Sequence, residues 1–325
     1  MAPLYVGLDA GGSGTRAALA SASGELIAIG QGGPSGVLGG AAGQRILRRA
    51  LAEALAPIVS GARSEPVTVH AGLRGLSIPG RREAALAELQ AHFPRQRISI
   101  SNDALIAQWG GLGGQPGVAL LAGTGSIALA RHADGREARS GGYGYLVSDE
   151  GGAFWLGREA IAASLRALDG RGPPTALAQG LLRATRQENL LDLVGWLYRG
   201  HSQVERVAHL APSVTRAATL NDPVARDIVK RGAHALADLA SSAARQLWAD
   251  APPNPLHVAR CGGVWTAGDV LRKPFDRALR RTLPTGRSSP PRLSPVGGAL
   301  LLAMRADGVL LENGLVAALV KSFER

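Results

Sequence analysis

The first hydrophobic run, Leu4–Ala10 (LYVGLDA), is short, nearly unbroken and followed by glycines, which predicts a buried strand. The turn Gly11-Gly12-Ser13-Gly14-Thr15 leads into a second strand-like segment, Arg16–Ala22. A tight Ser23-Gly24 turn and a third segment, Glu25–Gly30, follow. Three strands joined by turns form a meander. A dinucleotide-binding unit is excluded here, because its glycines must open a helix. Helical spacing of apolar residues then appears in Gln44–Val59, a strand in Val67–Leu73, and a helix in Arg81–His92. Arg97–Ser101 reads as a strand ending in Asn102-Asp103, and Ala104–Trp109 as a helix. Gly110–Gly117 (GGLGGQPG) is the most linker-like stretch of the chain.

The pattern then restarts. Val118–Ala130 (VALLAGTGSIALA) aligns with Val6–Ala18 (VGLDAGGSGTRAA): strand, glycine turn, strand, with a later polar-glycine turn in each, at Ser23-Gly24 and Asp134-Gly135. Such a repeat argues for two domains of related topology facing each other. Helical periodicity dominates the remainder, in Gly157–Leu168, Gln187–Tyr198, Glu205–Ala218, Asp222–Trp248 and Asp269–Leu279. Asp222-Pro223 is a cap followed by proline at the first helical position. Leu256–Arg260 is a short strand before Cys261-Gly262-Gly263-Val264-Trp265, Val296–Met304 a closely packed helix, and Val309–Phe323 a final helix. The expected organisation is a first domain over residues 1–115, completed by a C-terminal helix at 305–325. A second domain with a helical insertion covers 116–304. Hinges are expected near Gly110–Gly117 and Met304–Gly308.

Length and composition agree: 325 residues, 46% hydrophobic and 19% charged, can bury two cores. The net charge of +11 suggests a nucleic-acid partner at first sight. Only Lys230, Lys273 and Lys321 among the 36 basic residues are lysine, however, and the arginines are scattered without a nucleic-acid-binding motif. A basic surface that favours small anionic ligands is the better reading. One cysteine, Cys261, excludes an internal disulfide or a cysteine-held cluster within one chain. No apolar run is long enough for a membrane span and no export signal is patterned at the N-terminus. The expectation is a cytoplasmic protein with no membrane or nucleic-acid partner.

Several residues could carry chemistry. Successive N–H groups in a glycine turn bind phosphate oxygens. The Gly11–Thr15 turn and Gly123-Thr124-Gly125-Ser126, at matching places of the repeat, could clamp a polyphosphate such as ATP. Asp9, at the end of the first strand, could hold Mg²⁺ through water. Asp103 fits two roles equally from spacing alone, a helix cap or a general base accepting a proton from a substrate hydroxyl. The loop Gly141–Gly152 (GGYGYLVSDEGG) carries vicinal carboxylates, Asp149 and Glu150, that suit the hydroxyls of a polyol.

Taken together, VGLDAGGSGTR, SNDA, LLAGTGSIA, GGYGYLVSDEGGAFWLG and CGGVW resemble the N-acetylglucosamine and glucosamine kinases of the BadF/BadG/BcrA/BcrD ATPase-like group. That group lies within the sugar kinase/Hsp70/actin superfamily. The resemblance runs in unbroken order over almost the whole chain. It implies an α/β, two-domain actin-like ATPase (ribonuclease H-like) fold with a cleft between the domains. Phosphorylation of an amino sugar at the 6-hydroxyl follows, with N-acetylglucosamine first and glucosamine second. By the resemblance, Asp9 and Gly11, Gly12, Ser13, Gly14 and Thr15 match the first phosphate loop, and Thr124 and Gly125 the second. Asp103 matches the base. Gly142, Tyr143, Asp149 and Glu150, with Asp103 and Thr124, match sugar-contacting positions. Gly262 and Gly263, with Val264, match the loop beside adenosine. Mg²⁺ dependence and a homodimer are also implied. Two positions depart from the family: Gly36 and Ile127 stand where members often carry Asn. A binding-only relative remains an alternative. The activators of radical dehydratases need cluster cysteines that this chain lacks, and a sugar-responsive repressor would need a helix-turn-helix ahead of the first strand.

Overall fold

The computed structural model describes residues 3–12, 14–36, 40–61, 68–199, 203–249 and 251–324. The chain divides into two compact units. One contains residues 1–115 and 290–325, the other 116–289.

In the first unit, strands β1 (Leu4–Ala10), β2 (Thr15–Ser21) and β3 (Leu26–Gly32) form the expected antiparallel meander. Helix α1 (Gly40–Gly61) crosses to β4 (Thr68–Leu73), which lies parallel to β1. Helix α2 (Arg81–His92) crosses to β5 (Arg97–Asn102), parallel to β4, and β5 runs straight into α3 (Asp103–Leu112). The sheet order is β3-β2-β1-β4-β5. Alternation along β1 sorts its residues: Leu4, Val6 and Leu8 pack under α1 and α2, while Tyr5 faces the opposite layer.

The second unit repeats this plan. Strands β6 (Gly117–Ala122), β7 (Ser126–Arg131) and β8 (Glu137–Gly141) form its meander. Helices α4 (Ala153–Leu168), α5 (Leu177–Thr185), α6 (Leu190–Tyr198), α7 (Gln203–Ala208), α8 (Ala211–Thr219) and α9 (Pro223–Trp248) precede β9 (Leu256–Cys261). A 3₁₀ turn at Gly263–Ala267, helix α10 (Asp269–Thr282) and β10 (Gly286–Ser289) complete the unit. Its sheet, read as β8-β7-β6-β9-β10, has the same connectivity as the first. The repeat seen in the sequence is therefore a repeat of topology. The chain ends in α11 (Pro295–Ala306) and α12 (Asn313–Phe323).

Three expectations need correction, and three elements had none. Gly110–Leu112 belongs to α3 and is not linker. A Cβ on Gly298 of α11 would fall 1.9 Å from the Ile106 carbonyl oxygen and 2.4 Å from the Gly110 nitrogen, so these glycines let two helices touch backbone to backbone. Residues 290–304, expected in the second domain, lie in the first unit, because Val296, Leu300, Ala303 and Met304 of α11 bury against Tyr5 and Ala18. The helix read over 205–218 is two helices, α7 and α8. Pro212, in the first turn of α8, has no N–H to continue a helix arriving from α7. Finally, α5, β8 and β10 carry no clear signal in the sequence; β8 and β10 are only five and four residues long.

Candidate active site

In the first unit the candidate residues gather at one edge of the sheet, where β1, β4 and β5 reach their C-terminal ends. Open α/β sheets bind ligands at such edges. Asp9 is the penultimate residue of β1 and pairs across the sheet with Arg16 of β2. Its carboxyl is raised from the usual 3.8 to about 6, chiefly by burial and then by the nearby Asp103 carboxylate, with Arg16 opposing. The glycine turn closes through a bond from the Gly11 N–H to the Gly14 carbonyl (3.0 Å). Ser35 supports it, its hydroxyl donating to the Ala10 and Gly11 carbonyls at 3.0 Å each. Thr15, expected in the turn, already pairs in β2, and its hydroxyl donates to the Gly33 carbonyl (2.9 Å). Ser13 lies outside the described residues.

Asp103 opens α3, but it is not the cap. The residue before it, Asn102, accepts the Leu105 N–H at 2.8 Å and caps the helix. Among the described residues, no hydrogen bond or ion pair engages the half-buried Asp103 carboxylate. The capping role that spacing left open thus belongs to its neighbour.

In the second unit the turn Gly123–Ser126 is tied to the start of α4. The Gly123 and Thr124 carbonyls accept the Ala153 and Phe154 N–H groups at 2.8 and 3.0 Å. The carboxylate loop folds back on the same turn, and its two acids divide. Asp149 is buried in a left-handed backbone conformation (φ 69°). Its carboxylate accepts the Ser126 and Gly144 N–H groups, which lower its pKa, but desolvation is larger and leaves it raised. A Cβ on Gly125 would lie 2.2 Å from an Asp149 carboxylate oxygen, so glycine is required there for the staple. Glu150 is exposed, and its carbonyl accepts the Ser126 hydroxyl (2.8 Å). Tyr143 is exposed too, with the Arg139 guanidinium 4.8 Å from its ring centre. Gly142 packs against Ile127, one of the two departures.

Gly262 and Gly263 lead into the 3₁₀ turn, with Val264 buried beneath. Beside that turn lies a pocket of about 740 Å³ between the first turns of α9 and α10, lined in part by Asn221, Arg226, Lys230, Ala267 and Lys273. Sequence reasoning missed it, because its walls come from helices far apart along the chain. Among the described residues no group of three or more His, Cys, Asp or Glu could enclose a metal. Asp9 nevertheless suits Mg²⁺, which takes one or two carboxylates and completes its shell with water and phosphate oxygens.

Residues 6–303 match the model of the BadF/BadG/BcrA/BcrD ATPase family. The chain belongs to that family. It is 36% identical over 140 residues to an N-acetylmuramic acid/N-acetylglucosamine kinase of Clostridium acetobutylicum, covering 43% of this chain and 46% of that protein. It is 32% identical over 216 residues to an N-acetyl-D-glucosamine kinase of Dictyostelium discoideum, covering 64% and 66%. Aligned regions thus span about half and just under two thirds of these relatives. A solved structure of a proposed N-acetylglucosamine kinase from Chromobacterium violaceum superimposes with a TM-score of 0.71 at 29% identity, covering 93% of this chain and 99% of that one. The two units with one sheet plan are those of the actin-like ATPase fold.

Proposed function

We propose that this family member is an ATP-dependent kinase of an amino sugar, moving the γ-phosphoryl group of ATP to the 6-hydroxyl. N-acetylglucosamine is the first acceptor. The observation that carries the reading is the edge of the first sheet, where a glycine turn with its acidic neighbour Asp9 stands in line with an unengaged carboxylate, Asp103. Phosphoryl transfer asks for those parts: donors for phosphate oxygens and a base for the attacking hydroxyl. In this reading Asp103 takes the hydroxyl proton as the sugar oxygen attacks phosphorus. Asp9 holds Mg²⁺ when it is bound, and the ion neutralises phosphate charge. The glycine turn after β1 cradles phosphate oxygens, and the Gly123–Ser126 turn offers N–H groups of the same kind. The pocket beside the Gly262–Gly263 loop receives the base of the nucleotide. Asp149 shapes the second turn and the sugar loop, while Glu150 and Tyr143 meet the sugar.

Glucosamine is the second reading, favoured by the exposed Glu150 carboxylate, which no ion pair engages among the described residues. The small and aromatic residues Gly141, Gly142 and Tyr143 suit an acetamide methyl instead. Burying that methyl is worth roughly 1 kcal/mol, a severalfold preference. The test is ATP consumption with a panel of amino sugars, with NMR location of the new phosphate. The expected result is kcat/KM for N-acetylglucosamine above that for glucosamine and glucose at pH 7.5, with phosphate on the 6-oxygen. Preference for glucosamine would assign Glu150 to the 2-ammonium. No turnover of any sugar would refute the reading.

A further inference from the structure

We propose that Arg74 stabilises the charge on the phosphoryl group in flight, a role that rests on the kinase reading above. Arg74 directly follows β4, and its N–H donates to the Ala10 carbonyl at 3.2 Å. It therefore stands on the same sheet edge as the first glycine turn and Asp103. The strand order β1-β4-β5 puts it between them. In register, Gly72 lies beside Asp9 on one side and Ser101 on the other.

The side chain follows the turn. A Cβ on Gly12 would lie 2.5 Å from Nη1 of Arg74 and 3.5 Å from its guanidinium carbon. The guanidinium thus rests against the segment whose N–H groups are the phosphate donors of the proposed site. Among the described residues no carboxylate pairs with it and no hydrogen bond holds its side chain. Its backbone, by contrast, is fixed by a second arginine. Arg81 is buried, and its Nε donates to the Arg74 carbonyl at 2.8 Å. Its Nη2 donates to the Ser35 and Gly36 carbonyls at 3.2 and 2.6 Å. Arg81 therefore binds the Arg74 corner and the Ser35–Gly36 turn into one piece, and acts as a positioning residue.

A cation without a carboxylate partner among the described residues, on a fixed mount between a phosphate turn and a base, fits one step of the reaction. The bond between the γ-phosphorus and the bridging oxygen of ADP breaks and the bond to the sugar oxygen forms. Asp103 takes the hydroxyl proton. Charge spreads over the three equatorial oxygens during transfer, and a planar guanidinium can donate to two of them at once. Arginines in this role are worth about 10³–10⁵ in kcat elsewhere. A smaller loss of about 10²–10³ is expected where the N–H groups of the first glycine turn share the charge.

The experiment compares wild type with Arg74→Ala and Arg74→Lys, using MgATP and N-acetylglucosamine, with melting curves to verify folding. Expected are a kcat about 10²–10³-fold lower in Arg74→Ala with sugar KM within about threefold, partial recovery in Arg74→Lys, and partial rescue of Arg74→Ala by added guanidinium. An anionic substituent on the sugar is the other source of negative charge. A defect seen with N-acetylmuramic acid but absent with N-acetylglucosamine would assign Arg74 to that carboxylate and overturn the proposal, as would a kcat within threefold of wild type on both sugars. Calorimetry with MgADP and aluminium fluoride, a mimic of the group in flight, gives an answer without turnover. Arg74→Ala should lose at least about 30-fold in affinity for the mimic while binding MgADP within threefold of wild type. Equal tightening by the mimic in both proteins would overturn the proposal, even if no sugar were turned over.

Discussion

At Asn102 and Asp103, two adjacent residues with similar side chains are placed differently. Asn102 closes the helix end, which leaves Asp103 for the role of base proposed above. Asp103→Asn should therefore leave the melting temperature within about 2 °C of wild type, because the cap is untouched, and lower kcat by about 10²–10⁴-fold. Steady-state kinetics beside a melting curve decide this; a kcat within a few-fold of wild type would remove Asp103 from the chemistry. Asp9 makes the opposite trade. Its folded pKa of about 6 lies above the ordinary 3.8, so the folded state resists its ionisation. Stability then falls as pH rises from about 4 through about 6, and the whole penalty is present at pH 7. Asp9→Asn should melt higher than wild type at pH 7, melt about equally at pH 4, and lose sugar kinase activity. A lower melting point at pH 7 would show that the Asp9 charge costs the fold nothing. The placement of these residues in the fold was legible in the sequence: Asp9 near the end of β1, Asp103 at the start of α3, and a glycine turn after β1 and after β6. The inward turn of Asp149 was not, because it depends on a left-handed backbone and on N–H groups from two separate loops. Nor was the pairing of Arg74 with Gly12, which needs β4 beside β1.

At the scale of elements, glycine was the residue most open to misreading. Gly110 and Gly111 looked like linker, yet they are helical, and Gly110 is pressed against α11. A glycine that allows close packing and one that allows bending look alike in a single sequence. Gly298→Ala separates the two readings. The added methyl would meet backbone atoms at 1.9 and 2.4 Å, which no side-chain rotation relieves. The substitution should cost about 1–3 kcal/mol or more in urea unfolding, the usual range for overpacking. Alanine is otherwise the better helix former by ~1 kcal/mol, so a neutral or stabilising result would show that the helices can part freely. Strand periodicity, by contrast, read well wherever both faces were buried, as in β1, β4 and β6. The short outer strands β8 and β10 were missed because their exposed or half-buried residues leave little alternation to detect.

At the scale of the whole molecule, the two units share a sheet plan but not a chain plan. The second is one continuous segment, 116–289, whose main core draws only on its own residues, from Val118 to Leu283. The first is split. Tyr5, Ala18 and Ala20 on one face of its sheet are covered by α11 and α12, through Val296, Leu300, Met304, Val316 and Leu319. Each fully buried side chain of this kind is worth about 1.5–3 kcal/mol, and a small domain has only about 5–15 kcal/mol in total. The sequence showed the repeat, and the expected first domain already took in a C-terminal helix at 305–325; what it did not show is that α11 belongs there too, since nothing local marks that helix as a partner of a strand some 290 residues earlier. A fragment of residues 116–289 should therefore fold alone and melt cooperatively, whereas residues 1–115 alone should not, by circular dichroism and hydrogen exchange. Joining 1–115 to 290–325 through a few glycines and serines should restore folding. The ends already meet: the Arg292 and Leu293 N–H groups donate to the Gly111 and Gly110 carbonyls at 3.1 and 2.9 Å. If 1–115 folded without its C-terminal helices, α11 would be a cover rather than part of the core, and the division of the chain would have to be drawn again.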